Sequence, residues 1–326
     1  MIPYEWLQQA AGRIAPYIRH TPLTYDARHD LFLKWENHQV TGSFKVRGAL
    51  NKVLSLQPWE RERGLVAASA GNHGQGVALA GDLTGASVTI FCSEQAVASK
   101  IAAMRALGAE VRLVAGGYGE AEQAGLDYSA SSGAVWVSPY NDSQVIAGQG
   151  TLGLEIGQEL PSLADSTWVV PAGGGGLVSG IGAALEQISP RPRLFAVQSE
   201  ASAFLHAIFH HRALESVIDL PTLADGLAGP VENGSVTIPL VRRFVDDFVL
   251  VSEAEIQQAI GFAWKTYGEV IEGSAAAALA CVLSGKVAAR SAVVVLSGGN
   301  IQPEVHAMLV AGFQGDGFDE LRSTGH

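Results

Sequence analysis

At 326 residues the chain exceeds one average domain, and 48% hydrophobic against 16% charged residues describes a folded protein with a large core. A net charge of −11 with no long basic run speaks against nucleic acid or an anionic membrane as partner. No apolar stretch approaches the roughly 18–20 residues of a membrane helix, and residues 1–20 lack the basic start and apolar core of a secretory signal, so a cytoplasmic protein is expected.

In chain order, the first extended run is "LFLKWE" (31–36), which leads through "TGSFKVRGALNK" (41–52) into a helix beginning near Lys45. Further short apolar or β-branched runs follow: "GLVAAS" (64–69), "SVTIFC" (87–92), "EVRLV" (110–114) and "AVWVS" (134–138). The second half repeats the pattern with "TWVVPA" (167–172), "RLFAVQ" (193–198), "DFVLV" (247–251) and "AVVVLS" (292–297). Between them lie alanine-rich segments with helical spacing, at 99–110, 176–188 and 253–268. Apolar strands alternating with helices predict mainly parallel sheets covered on both faces, and right-handed crossovers then give a doubly wound α/β architecture. Segment 205–246, with "HHR" (210–212) and "GLAGPVENGS" (226–235), is the least regular and is expected to form loops. Cys92 and Cys281 each sit in an apolar run, which suits buried thiols better than a disulfide or a metal pair.

Ligands gather at the carboxyl ends of strands in open α/β sheets, so the residues after each strand carry the functional reading. Gly173, Gly174, Gly175 and Gly176 follow 167–172 and precede a helix, where several backbone N–H groups and the helix dipole can meet one anion. This is neither a Walker motif nor a dinucleotide fingerprint; a tight strand–helix turn would read the same way. "SAGNHGQG" (69–76) offers the Ser69 hydroxyl, loop N–H groups, Asn72 and His73 for a carboxylate, or simply a capping serine and a surface histidine. "SGGN" (297–300) presents the Ser297 hydroxyl at a strand end. Lys45 alone reads as a surface charge. Taken with the anion cup and the two polar turns, it reads as an amine nucleophile beside a phosphorylated carbonyl cofactor, and pyridoxal phosphate meets that description.

The ordered set "HTPL" (20–23), "KWENHQVTGSFKVRGA" (34–49), "SAGNHGQG", "VIAGQGT" (145–151), "GGGGL" (173–177), "ADGLA" (224–228), "EGSAAAALA" (272–280) and "LSGGN" (296–300) resembles the fold-type II pyridoxal-phosphate enzymes. The resemblance is to their threonine/serine dehydratase and serine racemase branch, and it runs from about residue 13 to the final helix. It implies a tryptophan synthase β-like fold, with a large domain of 1–49 and 143–326 and a small mobile domain of 50–142. It implies that Lys45, preceded by Phe44, anchors the cofactor covalently and moves the Cα proton. Gly173 to Gly176 and Leu177 would hold the phosphate, Asn72 the phenolic oxygen and Ser297 the pyridine nitrogen. Ser69, Ala70, Gly71, Asn72 and His73 would receive the substrate carboxylate. A neutral hydroxyl at the pyridine nitrogen disfavours ring protonation, which suits loss of a β-hydroxyl to give a 2-oxo acid and ammonia.

The sequence departs from the family at three places. Ala70 stands where the racemases carry a proton-transferring serine, which disfavours racemisation. Gln198 stands where cation-binding members carry a glutamate, and Glu200 reads as a helix-start carboxylate, so no metal is expected. With its last residue at His326, the sequence is expected to carry no regulatory domain of the feedback-inhibited dehydratases. The expected activity is an ammonia-lyase acting on threonine or serine, with phenylserine and 3-hydroxyaspartate open, in a homodimer. Racemase, β-replacement synthase, threonine synthase, a non-catalytic cofactor binder and a nucleotide-binding oxidoreductase are the alternatives.

Overall fold

Two mostly parallel sheets organise the protein, and the computed structural model describes residues 1–160, 166–287, 291–313 and 315. The chain end at His326, on which the regulatory-domain expectation turned, lies outside them. The larger sheet has the order β1 (Leu23–Asp26), β2 (Leu31–Trp35), β10 (Ala292–Leu296), β7 (Thr167–Pro171), β8 (Arg193–Ser199), β9 (Asp247–Val251). The smaller has the order β5 (Glu110–Val114), β4 (Val88–Ser93), β3 (Leu65–Ala68), β6 (Val135–Trp136). Among the described residues only β1 and β2 pair antiparallel; every other ladder is parallel.

All nine expected runs form strands. The central ones, β3, β7 and β10, are buried at every residue, as covering on both faces requires. The strand that went unforeseen is β1. As an edge strand it lacks the continuous apolar run of a covered one: Thr24 and Tyr25 are exposed.

The helices are, in chain order, α1 (Tyr4–Ile14), α2 (Lys45–Ser55), α3 (Pro58–Glu62), α4 (Asn72–Thr84), α5 (Ala98–Ala106) and α6 (Tyr118–Ser132). Beyond them come α7 (Ser143–Glu159), α8 (Gly176–Leu185), α9 (Phe204–Phe209) and α10 (Thr237–Phe244). The last three are α11 (Glu253–Phe262), α12 (Gly273–Leu283) and α13 (Pro303–Ala311). Segment 205–246 is therefore more regular than expected. Helix α10 forms because Leu240, Val241 and Phe244 share one buried face while Arg242 and Arg243 lie in its last turn. Both cysteines are free and buried. No helix among the described residues is long and apolar enough to cross a membrane.

Helix α2 is held from two directions. It lies so close to α7 that a Cβ on Gly148 would stand 2.6 Å from Arg47 O and 2.7 Å from Gly48 Cα, so only glycine permits the approach. From the other side, the fully buried Arg47 guanidinium grips both Glu36 oxygens (2.7 and 2.8 Å) and donates to Glu155 at 2.9 Å. Lys34, also fully buried, joins Glu155 to Glu159 at 2.8 and 2.7 Å. His20 completes a group of donors with the two carboxylates, and the Lys34 ammonium already supplies the cation between those carboxylates.

Candidate active site

Four chain segments converge at the carboxyl ends of β3, β7 and β10. The segment before Lys45 is stapled to the end of β10: Phe44 N–H donates to Ser297 O at 3.0 Å, Gly299 N–H to Gly42 O at 2.9 Å, and Ser43 bridges Gly298. Lys45, the first residue of α2, is thereby carried to Ser297. Its Nζ donates to Pro139 O at 3.0 Å and lies 5.4 Å from the Phe44 ring centroid. Burial lowers its pKa from 10.5 to about 8, against the opposing pull of the Glu272 carboxylate. A lysine near 8 has a neutral fraction at physiological pH, which nucleophilic attack and proton abstraction both require.

The glycine turn after β7 leaves Gly173 and Gly174 half-buried and has no room for side chains. A Cβ on Gly174 would lie 2.3 Å from the Tyr140 ring, and one on Gly173 2.9 Å from Leu227 Cα. Gly175 takes φ +85°, a left-handed conformation that glycine adopts without strain, and caps α8. The N–H groups at the start of α8 have no acceptor inside their own helix, so they converge on the turn as donors. Tyr140 and Asn141 fasten the neighbouring loop beside this cup. Tyr140 Oη accepts from Glu232 N–H at 3.0 Å, and Asn141 donates to Glu232 at 2.6 Å and accepts from Val236 N–H at 3.0 Å.

The loop after β3 departs from expectation at His73. Its imidazole is buried, Nε2 donates to Val137 O at 2.8 Å, and burial with the nearby Lys45 ammonium lowers its pKa to about 3. It is therefore a neutral structural side chain, neither a surface histidine nor a cationic carboxylate ligand. Only its backbone N–H, in the first turn of α4, remains for an anion. Ser69 Oγ accepts from Gly71 N–H at 3.1 Å, which shapes the loop around Ala70.

Asn72 sits in a network that the sequence reading missed. Its Nδ2 donates to Glu272 Oε1 at 2.7 Å, and its Oδ1 accepts from Asn300 at 2.7 Å; Asn300 also donates to Thr41 O at 2.8 Å. The amide nitrogen keeps a second N–H for a ligand. Burial raises Glu272 to about 7, and the Asn72 hydrogen bond opposes that shift. The available signal was the acid that opens "EGSAAAALA", a carboxylate directly before a helix of small buried residues. At the position where cation-binding members carry a glutamate, Gln198 donates to Leu227 O at 3.0 Å and accepts from His206 N–H at 3.2 Å. Glu200 lies in the turn after β8 and faces Lys286 at 3.6 Å, so it does not start a helix.

The family model described as "Pyridoxal-phosphate dependent enzyme" matches residues 9–298. The chain belongs to this family. An L-threonine ammonia-lyase of Thermotoga maritima is 42% identical over 308 residues, covering 92% of this chain and 76% of the relative. A catabolic L-threonine dehydratase of Staphylococcus aureus is 39% identical, covering 90% and 88%. Among solved structures, maize serine racemase superposes with a TM-score of 0.85 at 29% identity (95% and 97% covered). A threonine deaminase from tomato, Solanum lycopersicum, gives 0.84 at 30% (96% and 94%). The protein is a fold-type II pyridoxal-phosphate enzyme of the threonine/serine dehydratase and serine racemase branch.

The residues present fit pyridoxal phosphate: a turn of N–H donors too tightly backed for any side chain, and an amine of lowered pKa on a segment whose backbone is bonded to the Ser297 carbonyl. Gly174→Ala forces the Tyr140 ring to move and should weaken cofactor affinity by about tenfold or more, read as the dissociation constant in equilibrium dialysis. In apoprotein, incorporation of the cofactor should accelerate as pH rises through about 8, where Lys45 loses its proton. Because Glu272 raises the Lys45 pKa, Glu272→Gln should move that midpoint to lower pH. An unmoved midpoint would show that the carboxylate does not act on the amine.

Proposed function

We propose that this protein is an L-threonine ammonia-lyase: the Cα proton and the β-hydroxyl leave as water, and a second water hydrolyses the resulting imine to 2-oxobutanoate and ammonia. The names of its relatives support the substrate, and Ala70 is the observation that carries the reaction type. A methyl group stands in the substrate loop where racemisation would need a second proton carrier, leaving Lys45 to serve one face of Cα. Serine shares the same reacting atoms; threonine adds a methyl group beyond Cβ.

In this reading Lys45 Nζ holds the cofactor, takes the Cα proton and later returns it to solvent or product. Pyridoxal phosphate, when bound, supplies the electron sink that makes the Cα–H bond acidic. The N–H groups of Gly173 to Gly176 and Leu177 hold its phosphate, and Phe44 flanks the anchor. Ser297 Oγ meets the pyridine nitrogen as a neutral partner, and the spare N–H of Asn72 meets the phenolic oxygen. Ser69, Ala70, Gly71, Asn72 and His73 receive the substrate carboxylate through loop and helix-start N–H groups. The four-stranded sheet lies within 50–142, which supports that segment as a small domain closing over the cleft. A cytoplasmic homodimer completes the proposal.

The experiment is 2-oxo acid release by the cofactor-loaded protein from L- and D-threonine, L-serine, 3-hydroxyaspartate and phenylserine, each with and without magnesium. Fast release from L-threonine is expected. Formation of the opposite enantiomer without 2-oxo acid would replace this reading with racemisation. Turnover only when a thiol is added would replace it with β-replacement.

A further inference from the structure

A cation from one sheet's helix and a carboxylate from the other sheet's connections meet at the cleft. Lys100, in the first turn of α5, lies 3.1 Å from Oδ2 of Asp225, which opens the short 3-10 turn Asp225–Leu227 before α10. The lysine side chain is only 20% exposed, the aspartate 66%. Asp225 Oδ1 accepts from Gly226 N–H at 2.8 Å, which fixes the carboxylate to its own turn. Together they line a cavity of about 190 Å³ with Thr222, Leu223, Glu272 and Asn300. Glu272 is the acid that holds Asn72. A Cβ on Gly71 would come to 3.9 Å from Lys100 Nζ, so the ammonium stands beside the loop that the proposed function assigns to the substrate carboxylate.

We infer that Asp225, by pairing with Lys100, restricts this site to amino acids with an uncharged β-substituent. The inference rests on the cleft being the substrate site, as proposed above. Without Asp225 the mostly buried ammonium would keep, among the acids lining this cavity, only the Glu272 carboxylate already held by Asn72, and would attract a second carboxylate on a substrate through its uncompensated field. Asp225 occupies that position within the protein itself. The pair also joins elements of the two sheets, so a purely structural clasp is the rival account. It would affect charged and uncharged ligands alike.

L-aspartate and L-2-aminobutyrate separate the two accounts. Both carry the amino acid group and a substituent on Cβ, charged in one and methyl in the other. Neither has a β-hydroxyl, so neither can undergo the proposed elimination. Their dissociation constants would be measured by calorimetry on holoenzyme, for wild type, Asp225→Asn, and the double variant Lys100→Gln/Asp225→Asn. Asp225→Asn should shift the ratio at least about tenfold toward L-aspartate, less so at high salt, and the double variant should return it to the wild-type value. A ratio that stays within about twofold in Asp225→Asn, or a shift that survives in the double variant, overturns the inference. Wild-type holoenzyme that binds both ligands yet releases no 2-oxo acid from threonine would sink the proposed function alone, while the binding ratios would still decide the role of Asp225.

Discussion

Lys45→Ala should lower threonine turnover by at least ~10³-fold, because under the proposed function one substitution removes both the covalent anchor and the proton carrier. Borohydride treatment should no longer add the cofactor's mass to the protein, although the glycine cup can still hold it non-covalently. Lys45→Arg tests the chemistry more narrowly. A guanidinium keeps the positive charge but stays protonated at any working pH, so it can neither attack nor accept a proton. It should fail as completely as alanine. The wild-type amine escapes that limit because burial brings its pKa to about 8. Denaturation midpoints close to wild type would separate the chemical loss from unfolding. Normal turnover in either variant would remove Lys45 from the mechanism.

Arg47→Ala should be the most destabilising single change in this region, by ~3–5 kcal/mol, because it strands carboxylates that have left water. Glu36 is fully buried, and its remaining polar partner is Thr21 Oγ1 at 2.6 Å. Glu155 would retain Lys34. Arg47→Met combined with Glu36→Leu should recover much of the loss, since it removes the stranded charge with its partner. The shift would be read from urea midpoints on holoenzyme. The sign of the pH dependence is also fixed. Burial pushes the Glu155 carboxyl up, but Arg47 and Lys34 outweigh it and hold the pKa below its ordinary 4.5. Its contribution is therefore present above about pH 4.5 and is lost as pH falls through the lower folded value. Arg47→Ala should flatten that acid limb. The network matters to function through position: Arg47 lies two residues after Lys45, on the helix that presents it.

Signals that live in a few adjacent residues could be read without coordinates. Nine strands were legible from their short apolar or β-branched runs, and the turn after β7 from four glycines in a row, whose use as an anion cup belongs to the proposed function. The edge strand β1 and helix α10 were not, since neither has such a run; each gains its place from what packs against it. The same division holds within the site. The sequence by itself determined which chemical groups exist at which strand ends: the Lys45 amine, the glycine N–H groups, the Ser297 hydroxyl and the Ala70 methyl. The tertiary structure alone decided what each group touches. The bridge between Ser43 and Gly298 brings Lys45 to Ser297, and Glu272 reaches Asn72 across 200 residues of chain. Burial turned His73 from a surface imidazole into a neutral core group, and packing set Lys100 against Asp225 across 125 residues. Such contacts join residues far apart in the chain, so no local pattern records them, and the pKa values they produce depend on solvent exclusion that exists only once both sheets are in place.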